Sequence, residues 1–187
     1  MRRVGILVGF MAKKFHEMGI CQKYSDEYKY YGEAAAYHDI GKAEVPKSII
    51  TKPGKLTEEE TLIMRQHPVF ARRMLHRINE SSGSGIPKHL AQLTANSAVY
   101  HHEWWNGKGY PYGIGSEDIP LIARVTSICD AYDAITSDRI YRKAHTRHYA
   151  CDELEKNAGT QFDPALTSVF LDNEAELTVF IKRISCL

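Results

Sequence analysis

Apolar residues along this chain recur mostly at intervals of three and four, the spacing that places them on one face of a helix. The first such segment, about Arg2 to Met18, carries Val4-Gly5-Ile6-Leu7-Val8-Gly9-Phe10-Met11-Ala12 with no polar side chain before Lys13. A helix with so little polar surface belongs inside a bundle, and Gly19 is its expected stop. Ser25 with Asp26 and Glu27 reads as an N-cap followed by acids in the first turn. The helix they open runs through Tyr28, Tyr31 and Ala34-Ala35-Ala36 to His38-Asp39, with Gly41 just past its end as a left-handed terminator. From Ala43 to Gly54 the chain is irregular, because Pro46 and Pro53-Gly54 forbid a long helix. Thr57-Glu58-Glu59-Glu60 is a capping box in which Thr57 and Glu60 each satisfy the other's free amide, and its helix runs to Gln66. Pro68 at a first helical position starts another, with Phe70, Met74, Leu75 and Ile78 on one face.

Ser81 to Gly85 is a flexible connector too short to separate domains. Pro87 opens a helix through Leu90, Leu93, Ala95 and Val99 to His101-His102. Past a glycine-rich loop, Ile119-Pro120 opens a long apolar helix through Ile122, Val125, Ile128, Cys129, Tyr132 and Ile135, which also carries Asp130 and Asp133. His145 to Lys156 is amphipathic, and Phe162-Asp163-Pro164 starts a short helix through Phe170. In the tail, Glu174 to Leu187, the alternation of Leu177, Val179 and Ile181 also fits a strand. No internal repeat stands out. The sum is an all-α, single-domain helical bundle of about seven helices with short connections.

Composition narrows this little. A chain of 187 residues with 43% hydrophobic and 25% charged residues suits one soluble domain with a sizeable core. The net charge of +1 gives no global pull toward a nucleic-acid polymer or a membrane surface, so any anion must be held by a local cluster. Cys21, Cys129, Cys151 and Cys186 lie far apart without a CxxC pair, which suits reduced thiols in a cytoplasmic protein. Arg2-Arg3 and the apolar run behind them resemble a signal peptide's start. The run is short, however, and Lys13-Lys14 follows it with no small-residue cleavage site. It is also too short to span a bilayer.

The candidate chemistry centres on His101-His102-Glu103-Trp104-Trp105-Asn106-Gly107-Lys108-Gly109-Tyr110-Pro111. Gly107 and Gly109 can take backbone angles closed to other residues, and Pro111 fixes one. The tryptophans can stack on a base or pack on the core, and packing is the favoured reading. With His38, Asp39, His67 and Asp130, the two histidines form a set of imidazoles and carboxylates without a thiol. Such donors suit iron, manganese, zinc or nickel better than calcium or magnesium. A carboxylate shared between two imidazole-rich halves suits a two-metal centre, which can hold a bridging hydroxide and clamp a phosphate. Asp133, three residues after Asp130, can orient the water or a ligand imidazole. Lys42, Arg139, Arg142 and Lys143 are cations that can meet a phosphate; solvated surface charge fits Arg142 and Lys143 equally well.

Taken in order, several stretches resemble the HD-GYP domain, a branch of the HD metal-dependent phosphohydrolases. They are His38-Asp39-Ile40-Gly41-Lys42, Lys52-Pro53-Gly54-Lys55-Leu56-Thr57, His67-Pro68, His101-His102-Glu103 through Gly109-Tyr110-Pro111, and Asp130-Ala131-Tyr132-Asp133-Ala134 with Arg139 and Tyr141-Arg142. Each motif alone is weak; the ordered set is specific and runs from about Arg3 to Phe170. The resemblance implies a helical fold and two or three divalent ions, iron or manganese before zinc, nickel or cobalt. It implies hydrolysis of cyclic di-GMP to pGpG or GMP by a metal-bridging hydroxide. Carried over by position, His38, Asp39, His67, His101, His102 and Asp130 are metal ligands, with Asp39 bridging. Lys42, Tyr110, Arg139 and Arg142 hold the substrate's phosphates, and Lys42, Asp39 and Asp133 form the catalytic group. Implied partners are diguanylate cyclase (GGDEF) domains, through the Gly-Tyr-Pro loop, and an upstream receiver or sensor domain.

Residues 1–172 would form this domain and 173–187 a C-terminal extension. Arg3-Val4 matches a first-helix Arg-Val pair of the family, and the histidine that precedes that pair by three residues would fall immediately before Met1. On that reading either the chain is a piece of a longer protein, lacking the N-terminal part of its first helix, or its centre lacks a ligand. Asn106 stands where the family usually has Asp, and Ile140 where it has Pro. Two alternatives to the phosphodiesterase follow: a cyclic di-GMP-binding or protein-interaction module without turnover, and an HD phosphohydrolase of another nucleotide.

Overall fold

The computed structural model describes residues 2–20, 26–80, 85–138 and 143–185. The helices are α1 (Arg2–Glu17), α2 (Tyr31–Ala35), α3 (Lys47–Ile50), α4 (Glu58–Met64), α5 (His67–Glu80), α6 (Lys88–Tyr100), α7 (Leu121–Thr136), α8 (Arg147–Lys156) and α9 (Pro164–Ser185). The fold is all-α; among the described residues the only β-type pairing is an isolated bridge between Ala158 and Phe162. No described helix is long and apolar enough to cross a membrane.

The core gathers where the apolar pattern places it. α1 buries Val4, Leu7, Val8, Met11 and Phe15. α7 packs against α1, α2, α6, α8 and α9, which accounts for its apolar character on nearly every side. Glycine sets the tightest crossing. A methyl group on Gly5 would lie 2.6 Å from the Gly32 carbonyl oxygen, and one on Gly32 would lie 2.8 Å from that of Gly5. The α1–α2 backbones therefore touch, and α2 carries the chain directly toward His38.

Several local expectations hold. Thr57 Oγ1 accepts the Glu60 N–H at 3.2 Å, and Glu60 Oε2 accepts the Thr57 N–H at 2.7 Å. Pro87 and Pro120 stand at the N-caps of α6 and α7. Others need correction. The single helix expected from Asp26 to Asp39 is a 3-10 turn (Glu27–Tyr30), the short α2, and turns that lead into a second 3-10 segment (Ile40–Glu44). Gly41 is not left-handed. A methyl group there would run into the His67 carbonyl oxygen and lie 2.6 Å from the Ala71 amide, so this glycine serves close packing on α5. The tail is helical, not extended: α9 continues past Phe170, and Leu177 is buried in the main core. Cys129 and Cys151 are free thiols; Cys21, Cys186, the Ser25 cap and most of the 81–85 connector lie outside the described residues.

Candidate metal centre

Four chain segments deliver imidazoles and carboxylates to one place. His38 and Asp39 come from the turns after α2, His67 from the first position of α5, His101 and His102 from the end of α6, and Asp130 from α7. His38, His67 and His101 are each 1% exposed. His38 Nε2 lies 3.4 Å from Asp39 Oδ2 and 3.5 Å from Asp130 Oδ1. Asp39 Oδ1 lies 3.4 Å from His67 Nε2 and 4.0 Å from His101 Nε2. Donor atoms of His67, His101 and His102 fall within 4.8 Å of one another, as do those of His38, Asp39 and His101.

Backbone carbonyls aim the rings. Nδ1 of His38 contacts Ala35 O at 2.8 Å, that of His67 contacts Met64 O at 2.8 Å, and that of His101 contacts Ser97 O at 3.0 Å. A carbonyl accepts only, so each Nδ1 carries a proton and each ring turns Nε2 inward, with a free lone pair on the neutral rings of His67 and His101. Ser97 is in turn tied to Thr126 of α7 by a buried hydroxyl–hydroxyl bond of 3.0 Å, which fixes α6 against the helix bearing Asp130. The inward Nε2 atoms of His38, His67 and His101, together with Asp39 Oδ1, are buried without a hydrogen-bond partner. Four convergent buried polar atoms without partners are costly unless a cation that they can share fills the space between them. The residues therefore fit a metal site made of nitrogen and oxygen donors.

Charge at the site is divided unevenly. Burial alone would lower His38, but the Asp130 and Asp39 carboxylates outweigh it and hold the imidazole up at about 9. Burial and then the nearby His38 charge bring His101 down to about 3. Burial also lowers His67, and lowers His102 strongly. Burial would raise Asp39, yet the His38 imidazole and the Lys42 ammonium hold it well below the usual carboxylate range. Asp130 is likewise lowered, by His38 against its burial.

The remaining residues singled out from the sequence divide. Lys42 Nζ lies 2.6 Å from Asp39 Oδ2, so it meets the shared carboxylate directly. The Tyr110 ring stacks on His102 at 4.7 Å and 19°, and its N–H donates to His102 O at 3.1 Å. Asp133 is turned away from the histidines: its Oδ1 pairs with Arg3 Nε at 3.1 Å and accepts from Ser137 Oγ at 3.2 Å. Its position on α7 satisfies the helical spacing, but its side chain ties α7 to α1. Arg139, Ile140, Tyr141 and Arg142 lie outside the described residues. Of the tryptophan pair, Trp105 is half-buried beneath the Arg124 guanidinium, 5.8 Å from the ring centre, while Trp104 remains exposed.

Two contributors escaped the sequence reading. Glu103 is buried, and its carboxylate accepts the Tyr112 and Gly113 N–H groups at 2.7 and 3.0 Å, holding the loop behind Tyr110. Its place between the histidines and the tryptophans was visible; its fold-back on the loop was not. Gly107 is left-handed at φ +75°, as expected. Gly109 is needed for contact instead, since a methyl group there would lie 2.5 Å from Glu103 Cα. The other contributor is Arg65, whose guanidinium stands over the Tyr110 ring at 5.3 Å.

A helical bundle that focuses buried histidines and aspartates from helix ends onto one point presents a site of histidine–aspartate type that could hold metal ions. Residues 20–166 match the HD domain family model. The chain belongs to the HD domain family. It is 36% identical over 181 residues to a cyclic di-GMP phosphodiesterase of Thermotoga maritima, covering 97% of this chain and 45% of that protein. It is 34% identical over 158 residues to the 3'3'-cGAMP-specific phosphodiesterase 2 of Vibrio cholerae, covering 84% of this chain and 28% of that protein. The chain thus spans less than half the length of these relatives. Bd1817, a HDG"Y"P protein from Bdellovibrio bacteriovorus, shares the fold with a TM-score of 0.63 at 17% identity, over 92% of this chain and 52% of that one.

Proposed function

We propose that this chain is a metal-dependent phosphodiesterase domain that hydrolyses a cyclic dinucleotide, cyclic di-GMP first among them, to linear pGpG or GMP. The observation that carries the reading is the convergence of His38, Asp39, His67 and His101 with their inward polar atoms orphaned and their outer nitrogens fixed. Similarity to the Thermotoga maritima phosphodiesterase over nearly the whole chain supports the substrate class. His38, Asp39, His67, His101, His102 and Asp130 would hold two divalent ions, with a third allowed. Iron or manganese stands first by family resemblance, and zinc, nickel or cobalt suits the same donors. Such ions supply Lewis-acid charge to phosphoryl oxygens and lower the pKa of water.

The chain's own residues do the rest. Asp39, kept ionised by the His38 imidazole and the Lys42 ammonium, offers Oδ2 to His38 and Oδ1 to His67. Lys42, beside the Asp39 carboxylate, would offset negative charge that builds on the phosphoryl group during displacement. Tyr110, packed on His102, stands beside the cluster, and Arg139 and Arg142 would meet the phosphates. Asp133 acts through Arg3 and the α1–α7 packing in this reading, not on the reacting atoms. Diguanylate cyclase domains at the Gly-Tyr-Pro loop, an upstream receiver or sensor domain and a cytoplasmic location complete the proposal. Protein loaded with iron or manganese should turn over cyclic di-GMP, and His101→Ala should reduce turnover by at least about a thousandfold while keeping the helical circular dichroism. Metal-replete protein that turns over neither cyclic di-GMP nor 3'3'-cGAMP would contradict the enzyme, and binding without turnover would select the binding module.

A further inference from the structure

We propose that Arg65 is a substrate-binding residue, whose guanidinium grips the phosphate of the cyclic dinucleotide that is not being cleaved. This rests on the cyclic-dinucleotide reading and adds a residue to it. A cyclic dinucleotide carries two phosphodiesters. Only one can lie against the buried histidine–carboxylate cluster, so the other needs a cation on the rim.

Most described cations close to the cluster and its loop are already engaged. Lys42 is 2.6 Å from Asp39. Arg3 is held by Asp133 at 3.1 Å. Arg72 donates to the Tyr112 hydroxyl at 2.9 Å. Arg73 and Arg77 converge on Glu44 at 3.5 and 2.5 Å. Arg65 is exposed and has no carboxylate partner among the described residues. Its side chain stands over the Tyr110 ring, and a guanidinium over an aromatic face keeps its in-plane N–H donors free for a phosphate.

Its position is firm as well as open. Arg65 follows Met64, whose carbonyl accepts the His67 Nδ1–H, and it precedes His67 by two residues. The end of α4 is thereby tied to a ring of the cluster. Tyr110 links the same guanidinium to His102, on which it stacks. Arg65 is thus braced from two sides beside the cluster, as a residue reading one end of a rigid, doubly charged ligand must be.

The test compares wild-type protein with Arg65→Ala and Arg65→Lys, all metal-loaded. Cyclic di-GMP affinity is measured by equilibrium titration and KM by turnover. Bis(4-nitrophenyl) phosphate, which has one phosphate only, is the control substrate. Arg65→Ala should weaken cyclic di-GMP binding and raise its KM by about 10- to 100-fold, with kcat within a few fold. Hydrolysis of the control should not change, and Arg65→Lys should restore part of the affinity. Unchanged cyclic di-GMP affinity in Arg65→Ala would overturn the proposal. So would an equal loss on both substrates, which would make Arg65 a mere prop for Tyr110. Wild-type protein that hydrolyses the control but neither binds nor turns over cyclic di-GMP or 3'3'-cGAMP would overturn the underlying reading, and this proposal with it.

Discussion

Each aimed imidazole of the cluster has one nitrogen fixed by a main-chain carbonyl and the other left facing its neighbours. This division makes His38 the residue whose protonation matters most. Without a metal, the Asp39 and Asp130 carboxylates hold it protonated up to about 9, whereas His101, at about 3, is already neutral at pH 7. Burial lowers His67 and His102 in the same sense. A metal binds the Nε2 lone pair, so binding at pH 7 must displace the His38 proton. The sign follows: a pKa raised in the metal-free protein weakens binding below it. Apparent affinity should rise about tenfold per pH unit toward pH 9 and flatten above. Calorimetric titration in buffers of different ionisation enthalpy should count about one proton released per chain; a count of zero would show that His38 is not displaced. The ligand set was legible as residue types in an ordered spacing. The carbonyls of Ala35, Met64 and Ser97 were not, because any side chain could stand on those backbones.

Among the elements, the contact that sets the site is Gly41 against the first turn of α5. The His38-Asp39 turn and His67 meet because the chain between them has no side chain at that point. Gly41→Ala should cost about 1–3 kcal/mol, seen as a lower urea midpoint with an unchanged m-value. A midpoint equal to that of the natural protein would mean the turn can move off α5. The sequence displayed this glycine but suggested the wrong reason for it, since a helix terminator and a close contact look alike in one dimension. The capping box at Thr57 was legible because its partners are three residues apart. The tail misled through Leu177, Val179 and Ile181 taken alone. Followed back to Leu166 and Phe170, the buried positions keep helical spacing, while Val179 faces solvent. The split of the 26–39 segment depends on the glycine-mediated α1–α2 crossing, a long-range contact without a local signal.

At the scale of the whole molecule, residues spread from 38 to 130 in the sequence become neighbours through the packing of α2, α5, α6 and α7. α7 crosses the core with Asp130 on its site-facing side, and α1 secures it through Arg3, Asp133 and Ser137. The helical class was legible from periodicity, and the site from its residue types. The destination of Asp133 was not, because the helical spacing that aligns it with Asp130 says nothing about the cation waiting on α1. Whether the buried cluster holds metal is read directly by elemental analysis of the purified chain. After saturation with manganese or iron and removal of free ion, two or more ions per chain are expected. Asp39→Ala, which removes the carboxylate facing three imidazoles, should leave at most one. A natural protein that retains no ion, or an Asp39→Ala protein that retains as many, would contradict a metal centre shared through Asp39.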